Sequence, residues 1–195
     1  VREYQQSGSL EDDFWSLMDQ HKSKILRRLK IECSSTEEEL SYVNKIFELA
    51  APLFVEEVND YCRINNSPNP LNNINETKNK EDTYEFGAGF YSVFRKIVSK
   101  SHPDKTDGSR IDSYIDATSA KKQKNISKLV SISKDLNIDL NNLSYQDISD
   151  IETSIKRVQA KIKTIKSSYP YTWFFLNKPQ KAELVKDFLK KSSPN

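Results

Sequence analysis

Glycine is the scarce residue in this chain, with 4 in 195 positions against about 7% in average usage. Sheets joined by tight turns need glycine wherever the backbone enters positive φ, so a chain this poor in it is steered toward long helices. The apolar spacing agrees. Leu10, Phe14, Leu17, Met18, His21, Ile25 and Leu29 recur at helical steps and predict a first helix over about 10–30. Ser35 and Glu38 have the spacing of a capping box. A second helix follows through Leu40, Val43, Ile46 and Ala50, is interrupted at Pro52, and resumes toward Tyr61. The two read as an N-terminal helical hairpin over 1–64. Residues 65–82 hold seven asparagines with Pro68 and Pro70 and no period that could bury a face, which predicts a polar linker.

Regular structure resumes at Asp82, which with Glu85 offers a cap for a helix whose apolar face is Phe90, Phe94, Ile97 and Val98. Proline disfavours helical geometry in the residue before it, so this helix should stop at His102-Pro103, with Asp107-Gly108 as a turn. Ile111, Tyr114, Ile115 and Ala117 mark the next helix, and Ile126, Leu129, Val130 and Leu136 another near 125–136, giving a middle unit over 83–140. From Ser144, with Asp147 as its capping partner, Ile148, Ile151, Ile155, Val158, Ile162 and Ile165 alternate steps of three and four, a heptad seam suited to an intramolecular pair. A run of aromatics from Tyr169 to Phe175 and a last stripe of Leu184, Val185, Phe188 and Leu189, capped by Asn177, complete a C-terminal hairpin over 141–195. The whole reads as an all-α helical bundle.

Several function classes drop out on composition. Cys33 and Cys62 are the only cysteines and His21 and His102 the only histidines, too few for a four-thiolate or multi-histidine metal centre or a disulfide scaffold. No apolar run approaches the ~18 residues of a membrane span, and 1–10 is too polar for a signal peptide. The expectation is a cytoplasmic protein that touches no membrane and carries no cofactor. Charge is uneven: residues 1–82 carry 10 basic and 16 acidic side chains, residues 83–195 carry 20 and 12. A basic second half fits an acidic protein surface or nucleic acid.

The most specific stretch is Phe94-Arg95-Lys96-Ile97-Val98-Ser99-Lys100-Ser101-His102-Pro103-Asp104-Lys105. A helix with three cations runs into a proline-stiffened bend that holds one imidazole and one carboxylate near its tip. Such a device binds. A hydrolase built on Ser99 or Ser101 with His102 and Asp104 fails, because near neighbours in the chain cannot place nucleophile and base productively and no glycine-rich oxyanion loop is present. The expectation is a non-enzyme.

These residues resemble the J domain of DnaJ-type co-chaperones, in which a basic helix precedes a His-Pro-Asp loop and a second helix packs antiparallel to the first. Phe94, Ile97 and Val98 match that family's core positions, and Tyr114, Ala117 and Ala120 its aromatic, small, small spacing on the following helix. The resemblance covers about residues 83–123. It departs from the family where Ser101 replaces the usual aromatic before the histidine, and where no counterpart of the family's short first helix, no glycine/phenylalanine-rich stretch and no zinc module is found. The resemblance implies a J-domain-like antiparallel helix pair flanked by the two helical hairpins, and a DnaK-type heat-shock chaperone as partner. His102, Pro103 and Asp104 would engage the partner's switch and stimulate its ATPase, while Arg95, Lys96, Lys100 and Lys105 would meet an acidic patch. The rival reading is a structural or virion assembly protein that keeps the J-like helices without chaperone activity. Nucleic-acid binding by the basic half ranks third.

Simple packing accounts for most of the remaining candidates. His21 lies on the apolar stripe as a core histidine, Cys33 and Cys62 are small thiols, and the rings from Tyr169 to Phe175 close the core between the C-terminal helices. Lys156, Arg157, Lys161, Lys163 and Lys166 fit a phosphate-tracking row and a solvated helix face equally well, and Glu37 to Glu39 complement the dipole of a first turn.

Overall fold

The computed structural model describes residues 7–73 and 86–192. Among these residues the protein is all-α, with eight α-helices, one 3-10 turn at Pro70–Asn73 and no strand. The helices are α1 (Ser7–Ile64), α2 (Ala88–Ser101), α3 (Pro103–Thr106), α4 (Ile111–Lys122), α5 (Ile126–Asp135), α6 (Tyr145–Lys166), α7 (Tyr169–Phe174) and α8 (Lys178–Ser192). No helix among the described residues is long and apolar enough to cross a membrane.

The expected N-terminal hairpin is not formed, because α1 runs unbroken through Ser35. The reason is register. Leu26, Leu29, Cys33, Thr36, Leu40 and Val43 are all buried and follow one another at steps of three and four, so the buried face passes through 31–39 without the phase shift a reversal would need. Ser35 and Glu38 therefore sit inside a helix rather than at the start of one. Glu37 and Glu39 do not serve a first turn either: Glu37 accepts a hydrogen bond from Asn125 Nδ2 (3.2 Å), and Glu39 pairs with Lys166. Pro52 is held within α1, at the loss of one hydrogen bond to the carbonyl four residues back.

The chain divides into two compact units, the first built from residues up to Glu37 with the segment ending at Val158, the second from the segment starting at Glu38 and from Gln159 onward. The division falls within α1 and α6 rather than along the expected segments 1–64, 65–82, 83–140 and 141–195. The linker expected at 65–82 is described only as far as Asn73, and the Asp82 and Glu85 cap lies outside the described residues. The described part of α2 starts with Gly87 in the N-cap position and no side-chain cap.

In the first unit α2, α4 and α5 wrap one core. Phe90, Val93 and Ile97 of α2 meet Ala117 and Ala120 of α4 and Ile126, Leu129 and Val130 of α5, with Leu26, Leu29 and Cys33 from α1 and Ile148, Ile151 and Ile155 from α6. Full burial of each large side chain is worth roughly 1.5–3 kcal/mol. The small residues of α4 are there because the helix approaches its neighbours closely. Local signals define the ends: Asn125 Oδ1 accepts from Lys128 N (2.9 Å) to start α5, and Asp147 Oδ2 accepts from Ser144 N and Oγ (2.7 Å each) while Ser144 Oγ accepts from Asp147 N (3.1 Å) to start α6. Cys33 is a free thiol, fully buried, and burial pushes its pKa up to about 12.

The second unit is aromatic. Phe54 packs edge-on against Trp173 and Phe188 and stacks with Tyr169, and Val58, Cys62 and Val185 fill in beneath. Trp173 Nε1 donates to Glu57 Oε2 (2.7 Å) and Tyr169 OH to Asp187 Oδ2 (3.1 Å), so neither ring buries an unmet donor. Core closure thus claims Tyr169 and Trp173, whereas Phe174 and Phe175 stay exposed. Asn177 and Gln180 cap each other reciprocally at the start of α8 (3.1 Å each way).

Candidate functional site

Two helices and a bend make the site. Contacts fix the order of α2 and α4: His102, just past the end of α2, lies edge-on to Tyr114 in the first turn of α4, with ring centroids 5.5 Å apart. Two to three turns back along α2, Phe94 and Tyr91 lie under the Lys121 ammonium from the last turn of α4, at 4.6 and 5.5 Å. Low numbers on one helix meet high numbers on the other, so the pair is antiparallel and 102–110 is its tip.

The bend is built as its sequence requires. Pro103 forces His102 out of helical geometry, to φ −60° and ψ 131°, which ends α2 and leaves Pro103 at the first position of α3. The His102 carbonyl then accepts from Lys105 N (2.9 Å) and Thr106 Oγ1 (3.2 Å), and His102 Nδ1 accepts from Asp104 N (3.3 Å). Asp104 Oδ2 lies 3.6 Å from the same nitrogen. Asp107 and Gly108 adopt φ of 48° and 77° and turn the chain into α4. The carboxylate is 86% exposed and the imidazole 39%, so both face solvent while the ring's back rests on Tyr114.

Beside the bend lies an open groove of about 350 Å³, floored by Phe94 and Val98 and rimmed by Arg95, His102, Asp104 and Lys105. An apolar floor between cations suits an extended segment that carries both apolar and acidic side chains. The four expected cations divide between two duties. Arg95 and Lys105 are exposed at the groove, whereas Lys96 Nζ donates to Asp139 O (3.4 Å) and Lys100 Nζ to Leu136 O (3.1 Å) and Asn137 O (3.3 Å). The basic face expected over 95–100 is therefore split, because a helix turns 100° per residue and carries positions 96 and 100 toward the α5–α6 connection. This tethering role had a sequence signal only in the i, i+4 spacing of the two lysines.

Ser101 is fully buried, and its Oγ is spent on the Ile97 carbonyl (2.8 Å). No group of three or more His, Cys, Asp or Glu that could hold a metal occurs among the described residues. His21, expected in the core, is exposed on α1, and the cations of α6 from Lys156 to Lys166 face solvent. Comparison of the chain with known protein families, curated proteins and solved structures found no match.

Proposed function

We propose that the protein is a J-domain-like co-chaperone or adaptor that engages a DnaK-type heat-shock chaperone through the bend at His102, Pro103 and Asp104 and stimulates its ATPase. One observation carries the reading: Asp104 stands exposed and His102 and Pro103 partly exposed at the tip of an antiparallel pair of helices, next to a groove with cations on its rim. Arg95 and Lys105 supply orientation and encounter rate toward an acidic partner surface, and His102 and Asp104 make the contacts that shift the partner between its states. Lys96 and Lys100 act from behind by holding the α5–α6 connection. The chain itself carries out no chemistry in this reading.

The test is single-turnover ATP hydrolysis by a DnaK-type chaperone with the full chain added. Stimulation that His102→Asn or Asp104→Asn removes, with the melting temperature unchanged, is the expected result. No stimulation, or stimulation that both variants keep, rejects the proposal.

A further inference from the structure

Helix α1 begins at Ser7, and among its side chains described from Asp12 onward the first buried one is Leu26. Lys22 Nζ donates to Asn141 O (2.8 Å) and Ser23 Oγ to Asn141 Oδ1 (3.3 Å), which marks where the helix meets the rest of its unit. Ahead of that point Phe14, Trp15 and Leu17 are 54%, 60% and 66% exposed, and Phe14, Leu17, Met18 and His21 share one face. An apolar stripe of this kind on a solvated helix is a surface in want of a partner.

Charge order selects the partner. Asp12 and Asp13 lie at the N-terminal end of the stripe, Asp19 partway along it, and Lys24 and Arg27 at the C-terminal end, all exposed and none in an ion pair among the described residues. Arg28, by contrast, is held by Glu152 (3.0 Å). A segment that is acidic and then basic is complementary to itself reversed. In parallel, acid would lie along acid. In heptad terms Phe14 and His21 take a positions, Leu17 and Lys24 take d, and Asp13, Gln20 and Arg27 take g. An antiparallel pair centred near residue 19 or 20 sets Leu17 against His21 of a second copy, lays the Lys24 stem over Phe14, and faces Asp13 with Arg27 on both sides of the axis.

We propose that residues 12–27 of α1 are a homodimerisation surface that pairs antiparallel with a second copy of this chain. The seam is only four layers long, so association falls in the micromolar range and weakens with salt. It is independent of the His102 bend.

Sedimentation equilibrium of the full chain, from low-micromolar to near-millimolar concentration, tests it. The expected result is a monomer–dimer equilibrium whose dissociation constant rises at least tenfold in Asp13→Arg and in Arg27→Asp, each with an unchanged circular dichroism spectrum. Mixing the two single variants, or combining both changes in one chain, restores the dimer, because each Arg again faces an Asp across the axis. A chain that stays monomeric throughout, a dimer that ignores both single changes, or a double variant that remains monomeric overturns the proposal.

Discussion

Gly89, the second residue of α2, has no room for a side chain. A Cβ built there would lie 2.6 Å from Asp147 Oδ2 and 2.9 Å from its Cγ and Oδ1, and one at Gly87 would lie 3.3 Å from Oδ1. The carboxylate is fixed, since Oδ2 already accepts two hydrogen bonds from Ser144 at the start of α6. Gly89→Ala must therefore either push Asp147 off its cap, at about 1 kcal/mol, or strain the helix contact, at about 1–3 kcal/mol. Better helix propensity returns less than about 1 kcal/mol, because the first turn draws least on it. The expected net loss is about 0.5–2.5 kcal/mol, or a fall of about 1–10 °C in melting temperature for a chain of this size. Urea and thermal unfolding followed by far-ultraviolet circular dichroism measure it. In an Asp147→Ala background the same glycine change should be neutral or stabilising, because the obstacle is gone and only propensity remains. A Gly89→Ala protein as stable as the parent, or an equal loss in both backgrounds, would refute the steric argument.

Other outcomes follow from the same contacts. With the Cys33 thiol pushed up to about 12 from 9.0, the folded state keeps a proton that the unfolded chain releases, so stability is intact below pH 9 and falls as pH rises toward 12. At about 1.4 kcal/mol per unit the fall is of order 4 kcal/mol, and Cys33→Ala should remove that part of the alkaline slope in denaturant titrations at stepped pH. Trp173→Phe leaves the Glu57 carboxylate without its indole donor and should cost about 1–3 kcal/mol in urea unfolding; no change would mean that water replaces the contact fully. Arg95→Ala and Lys105→Ala should weaken chaperone stimulation without moving the melting temperature, whereas Lys100→Ala should lower it by a few degrees through its two lost carbonyl contacts.

How much the sequence disclosed depended on whether a signal was local. Helix ends set by a proline or by a side chain three residues away were legible: His102-Pro103 ends α2, Asn125 starts α5, Ser144 with Asp147 starts α6, and Asn177 starts α8. The all-α class followed from glycine scarcity and the seam from Ile148 to Ile162. The N-terminal hairpin failed because Ser35 and Glu38 satisfy a cap pattern that only tertiary context can switch off, and that context is the unbroken burial of Leu29, Cys33, Thr36 and Leu40. His21 shows the converse, since an apolar stripe predicts a buried face only where something lies against it. At the site the bend was readable, but the split of its cations was not, because the carbonyls that claim Lys96 and Lys100 come from residues 136–139, some 40 positions away.

Accepting a hydrogen bond from Asp104 N at Nδ1 has a consequence for the imidazole's tautomer. The neutral ring must carry its proton on Nε2, so it offers an outward N–H donor before any partner arrives. The two nitrogens then have separable duties. Asparagine at this position reproduces the inner acceptor and loses the outer donor, and glutamine does the reverse, so the pair of isosteres distinguishes a ring that shapes the bend from a ring that signals through it.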